Sequence, residues 1–204
     1  MIKKTNFIQI YPLIQTLSCL FLLAIVTVCL LSLFKIQQTN PFDSLPIIQH
    51  FIAFTEYTKR FFLWLTLLLP LAILGCFLPE LQYRVEKDSL MNLKISMIGT
   101  FQIRRFLKQT SESPGTNNRL KESVPVENTI ITRYNHAVKK AVLDITQDQL
   151  ALMIPLPKEA QPQKLLLQHD EQIKEHLANL YPEYLVSTFH RQKFTLWIMG
   201  TKRK

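Results

Sequence analysis

Five histidines, three cysteines and four glycines are the residues from which a reactive site would have to be built. His169 and His176 stand seven positions apart in a stretch of helical periodicity. Two turns of helix would put them on one face about 10 Å apart. A single metal ion wants ligands one turn apart, as in His-x-x-x-His, and Asp170 and Glu175 add charge without ligand geometry. His136 and His190 fall in strand-like runs and read as surface or edge residues, and His50 reads as a polar-face residue. Cys19, Cys29 and Cys76 all lie in long apolar runs, where a free thiol behaves as a small hydrophobe. With none elsewhere, no disulfide framework or zinc cluster can be assembled. Gly75, Gly99, Gly115 and Gly200 are too scattered for backbone amides to close on a phosphate. Gly200-Thr201-Lys202 lacks both an upstream glycine and a following helix. No serine or cysteine shows a recognisable base partner, and no acidic pair stands out. The reading is of a non-enzymatic chain with no catalytic residue, no cofactor and no metal.

Positive charge is what remains. Arg104, Arg105 and Lys108 form one cluster, Lys139 and Lys140 a second in a strand-like run, and Lys202, Arg203 and Lys204 a third at the end. Clusters of this size suit contacts to phosphate on anionic lipid or nucleic acid, which are salt-sensitive and independent of sequence. Ordinary cytoplasmic surfaces carry such clusters too. No recognition helix or nucleic-acid motif accompanies them.

The elements that must position these residues divide sharply by polarity. Residues 61–78 carry no charge and are followed by Pro79, and Tyr11–Phe34 is a longer run equally free of charge. At about 1.5 Å per residue the two runs reach about 36 Å and about 27 Å, enough for a bilayer core of about 30 Å. The first run follows Lys3 and Lys4 but is too long for a signal peptide and lacks a small-x-small site, so it reads as an uncleaved span. Pro70 predicts a bend in the second span. Between them, Ser44 and Pro46 open a short amphipathic stretch that leads into the second run. Lysine and arginine number two in the N-terminal flank, three in the connection, and six between Arg84 and Lys108. Two spans put both termini on one side, so eight against three places them in the cytoplasm.

Residues 80–204 hold 19 Lys/Arg against 13 Asp/Glu. From 81 to 108, scattered apolar residues among basic ones fit a basic juxtamembrane helix. It either lies in the lipid headgroup layer or packs on the domain that follows, with Gly99 as a point of interruption. Residues 109–128 read as a flexible linker and domain boundary. In 129–204, 136–145 and 150–157 read as a hairpin, 163–181 as one amphipathic helix, and 184–190 with 193–199 as a second hairpin. The expected architecture is thus a transmembrane hairpin (1–80), a basic helix and linker (81–128), and a small cytoplasmic α+β domain ordered β-β-α-β-β.

A short basic start, two spans, a basic juxtamembrane helix and a small α+β domain, with KKAVLDITQDQLALMIPLP followed by a helix and YLVSTF, resemble a known arrangement. It is similar to the N-terminal anchor region of FtsK/SpoIIIE-like coupling proteins of Gram-positive conjugative elements. The chain stops where their motor domain would begin and carries no Walker motif, so no catalytic residue transfers. The resemblance implies a bacterial membrane anchor and docking module in a DNA-transfer (conjugation) or division complex. Its partners would be the bilayer, a protein at the cytoplasmic domain and anionic lipid, with DNA lacking a motif. Two other readings stay open: a small membrane protein protecting against a toxin or bacteriocin, and a membrane-tethered enzyme or regulator with an unrecognised site.

Overall fold

A computed structural model of the chain describes residues 5–33, 46–109 and 124–203. The chain divides into two compact units, one of residues 10–80 and one of residues 5–9 with 81–203. The first unit holds most of two long helices, α1 (Asn6–Leu33) and α2 (Pro46–Lys87). Both are long and apolar enough to cross a membrane, and only 6% of each apolar window is buried. Leu22, Leu30, Leu67 and Leu71 are all exposed, so these helices are not the core of a soluble fold. Their hydroxyls turn inward. Thr16 donates to the Leu13 carbonyl at 2.8 Å, Thr27 to Leu23 at 2.8 Å and Thr66 to Leu63 at 2.7 Å. That is how a polar side chain is satisfied where no water competes.

The second helix is longer than the charge-free run that marks it. It starts at Pro46, where proline costs no intrahelical hydrogen bond, and passes through Pro70 and Pro79 as one element. Pro79 therefore does not close it, and the amphipathic stretch before residue 61 is its first turns rather than a separate piece. Ser44 lies outside the described residues.

In the second unit α3 (Leu90–Leu107) follows at once, capped by Ser89, whose side chain accepts from the Met91 amide at 3.2 Å. Then come α4 (Val124–Val138), β1 (Val142–Ile145), β2 (Gln149–Pro155), α5 (Ala160–Gln168), α6 (Asp170–Leu180), β3 (Tyr184–Val186), β4 (His190–Gln192) and β5 (Thr195–Lys202). The sheet is antiparallel in the order β1-β2-β5-β3, with β4 pairing a further stretch of β5. Register places Leu143, Leu152 and Ile198 side by side on one face, beside Ile145 and Leu150. These pack with Leu166, Ile173 and Leu177 of α5 and α6 and with Tyr134 and Val138 of α4 into one core. The opposite face, with Val142, Asp144, Met153 and Trp197, is buried as well. This sheet is covered on both sides.

Three expectations change. Residues 136–138 end a helix instead of starting a strand, because Tyr134, Ala137 and Val138 are the buried stripe of α4. Lys139 and Lys140 consequently sit in a turn and β1 begins only at Val142. The single helix over 163–181 is two, divided at His169, where the backbone leaves helical geometry (φ −101°, ψ 12°). The second hairpin turns at Lys193-Phe194, not Arg191-Gln192, with Lys193 at φ 54°. Its first arm is broken into β3 and β4. The linker expected over 109–128 falls largely outside the described residues, and α4 already begins at Val124.

Within residues 81–108, one face of α3 packs on the domain. Its buried face is Leu93, Ser96, Gly99, Thr100, Ile103 and Leu107. Gly99 does not interrupt the helix. It provides close approach: a Cβ there would lie 2.6 Å from Leu143 Cδ2 and would also meet the Tyr181 hydroxyl. Glycine costs a helix interior about 1 kcal/mol relative to alanine, and the space it frees is where the helix meets the sheet.

Candidate functional site

Two arrangements are built from functional side chains. The first joins α2 and α3 to the edge of the sheet. An edge strand leaves every second residue's N–H and C=O unpaired, and β1 is such an edge. Thr100 Oγ1 accepts from the Leu143 amide at 3.0 Å and donates to the Leu143 carbonyl at 3.1 Å. Ser96 Oγ accepts from the Ile145 amide at 2.8 Å. Arg104 Nε donates to the Ala141 carbonyl at 2.7 Å, and Arg84 Nη1 to the Ile145 carbonyl at 2.7 Å. The spacing explains the match. Four helical residues rise about 6 Å and two strand residues about 6.7 Å, so Ser96, Thr100 and Arg104 stay in step with Ile145, Leu143 and Ala141. Helix α3 covers the edge without being a strand.

Arg84 is fully buried and paired with Asp88 and Asp144, and the Phe7 ring lies 5.9 Å from its guanidinium carbon. Asp88 also accepts from Asn92 Nδ2 at 2.6 Å and from the Gln147 amide at 2.9 Å. Burial works to raise the Asp88 carboxyl. Hydrogen bonds from Asn92, Arg84 and Gln147, with the Arg84 charge, outweigh it and hold the group below the usual carboxylate range. His176 stacks on Phe106, ring centroids 3.8 Å apart and nearly parallel, and burial holds its imidazole below the ordinary value.

Both shifts have the same sign for stability. A group whose folded pKa is depressed stabilises the fold above its unfolded value, and that contribution is lost as pH falls towards the folded one. Acid should therefore weaken the unit in two steps, one starting below about pH 6.5 from His176 and one below about pH 4 from Asp88. Hydrogen exchange followed against pH should show the first step vanish in His176→Gln and the second shrink in Asp88→Asn. A single step unchanged by His176→Gln would refute the assignment.

The second arrangement is a cleft of about 500 Å³ between the end of α4 and the chain leaving β2. Arg133 and His136 on α4 and Lys140 in the turn after it form one wall, and Lys158 stands on the other. Arg133 pairs with Glu159, and both are half exposed, where such a pair contributes at most about 1 kcal/mol. The floor is apolar: Leu156 is buried between Pro155 and Pro157, and its amide donates to the Phe194 carbonyl at 2.8 Å. Gln163 Nε2 fixes the loop by donating to the Pro157 carbonyl at 2.7 Å. Three cationic side chains, Arg133, Lys140 and Lys158, with His136 beside them around an apolar floor, fit a ligand that is itself acidic and partly apolar.

The basic residues singled out by sequence disperse. Arg104 serves the edge of β1, while Arg105 and Lys108 are exposed on and just after α3. Lys139 and Lys140 are exposed after α4, and of these only Lys140 lines the cleft. Lys202 and Arg203 are exposed at the end of β5, and Lys204 lies outside the described residues. Sequence reasoning passed over Arg133 and Lys158 and read His136 as a strand residue. The period of α4 would have grouped Arg133, His136 and Lys140, but nothing local points to Lys158. His169 takes part in packing: its Nδ1 lies 2.7 Å from the Leu165 carbonyl and its Nε2 3.1 Å from Gln109 Nε2.

Comparison with protein-family models, curated proteins and solved structures finds no match to this chain. The class is defined this far: two helices long and apolar enough to cross a membrane, and a small antiparallel sheet with its helices.

Proposed function

We propose that this chain is a non-enzymatic membrane protein in which α1 and α2 cross the bilayer as a hairpin and the α+β unit is a cytoplasmic docking module. The observation that carries the reading is the exposure of both apolar windows, which water would penalise by about 25 cal/mol per Å². The excess of lysine and arginine outside the connection supports both termini lying in the cytoplasm of the cell. The cleft between Arg133, His136, Lys140 and Lys158 would take an acidic segment of a partner protein. The layout suggests which assemblies to search: DNA-transfer or division machinery.

Affinity purification of the full chain from detergent-solubilised bacterial membranes tests this. A transfer or division ATPase should be recovered reproducibly, and Lys140→Glu with Lys158→Glu should abolish recovery through charge reversal. Equal recovery by that variant would remove the cleft from the account. Cutting the chain after Glu80 separates the reading from span-borne protection against a toxin, since protection that survives the cut needs no module. The cut cannot be made at 109, because α3 would lose the strand it covers.

A further inference from the structure

Among the described residues, nothing of its unit covers the outward face of α3. Opposite the residues that pack on β1 lie Leu90, Met91, Met97, Ile98 and Phe101, between 45% and 67% exposed. Lys94 and Arg105 fall among them at helical spacing, and the helix contains no aspartate or glutamate. A helix that buries one apolar face should be polar on the other. This one has a second apolar face, studded only with cations.

We infer that this face lies in the headgroup layer of an anionic phospholipid bilayer, a surface contact additional to the proposed hairpin and resting on it. Charge and chain length choose the occupant. Five apolar side chains with two cations and no acid match acyl carbon beneath a sheet of phosphates. A second copy meeting the same face would set Lys94 and Arg105 against their own like charges. The helix also starts near lipid. The second apolar run ends at Leu78, α2 continues through Lys87, and only Asp88 and Ser89 precede Leu90. That is about 13 Å of helix and a two-residue turn. Ile103 and Leu107 belong to the core, Arg104 bonds the edge of β1 and Leu93 is buried, so the lipid-facing set is not the one that residues 81–108 suggest as a linear pattern.

Spin labels on the full chain, reconstituted in vesicles of phosphatidylcholine with phosphatidylglycerol, test the inference. Cys19, Cys29 and Cys76 are first replaced by serine. Labels then go to Ile98→Cys, Phe101→Cys, Leu71→Cys within α2, and Glu175→Cys on the exposed side of α6. Collisions with oxygen should exceed those with a water-soluble nickel complex at 98, 101 and 71, with the reverse at 175. Lys94→Gln with Arg105→Gln, or vesicles of phosphatidylcholine alone, should cut the ratio at 98 and 101 severalfold and leave 71 unchanged. Water-like readings at 98 and 101 beside a lipid-like 71 would overturn this inference and leave the hairpin standing. A water-like 71 would remove the hairpin as well. Protection from both reagents at 98 and 101 would mean that protein covers the face, and a ratio indifferent to anionic lipid would rule out the phosphate contacts.

Discussion

Arg84→Met should cost the α+β unit about 3–5 kcal/mol, the range for breaking a buried ion pair from one side. The side chain is fully buried, Asp144 is 2% exposed, and Arg84 also supplies the hydrogen bond to the Ile145 carbonyl. Methionine fills similar volume but leaves Asp144 charged, dry and without its cation. Asp88 is better placed, since Asn92 and the Gln147 amide still serve it. The companion variant separates charge from packing. Arg84→Met with Asp144→Leu removes both members of the long-range pair and should recover most of the loss, because apolar replacement of a buried pair is often neutral or better. Hydrogen exchange of β1 in the full chain is the measurement, with the single variant losing protection and the double regaining it. Less than about 1 kcal/mol lost by the single variant would show that the pair is not what fixes the end of α2 to the sheet.

Ser96→Ala with Thr100→Val should cost at least about 3 kcal/mol, and the mechanism is different. The shape of α3 is nearly kept, but the Leu143 amide and carbonyl and the Ile145 amide lose their acceptors and donor. Each buried backbone group left unpaired costs about 1–3 kcal/mol. Thr100→Ser retains the hydroxyl and should remain within about 1 kcal/mol of the parent, the deletion of one methyl. The amides of Leu143 and Ile145 report directly, and both should exchange faster in the double variant. The exposed strand should also promote association at higher protein concentration. Unchanged exchange at those two amides would show that α3 covers the edge by packing alone, with Leu93, Ile103 and Leu107 sufficient.

Where side-chain pattern is local, the sequence was enough. The charge-free runs from 11 and from 61 became the two long apolar helices, and the short apolar runs in 150–157 and 193–199 became β2 and β5. Leu166, Ile173 and Leu177 do lie on one buried side even though the helix breaks between them at His169. The failures fall where two local signals compete. Residues 136–145 are apolar enough for a strand, yet Tyr134, Ala137 and Val138 satisfy a helical stripe, and the core behind them decides for helix up to Val138. Pro79 is a breaker by rule but sits in a helix already fixed on both sides.

The amino-acid order by itself determined which segments shun water, where charge accumulates and which short runs are apolar enough for strands, because each is a property of neighbours along the chain. Only the tertiary structure decided that Arg84 meets Asp144 sixty positions away, that Ser96, Thr100 and Arg104 complete a strand, and that Lys158 faces Lys140 across a cleft. Those pairings depend on how far a helix climbs while a strand extends and on which edge is left open, and no window of the sequence contains both partners.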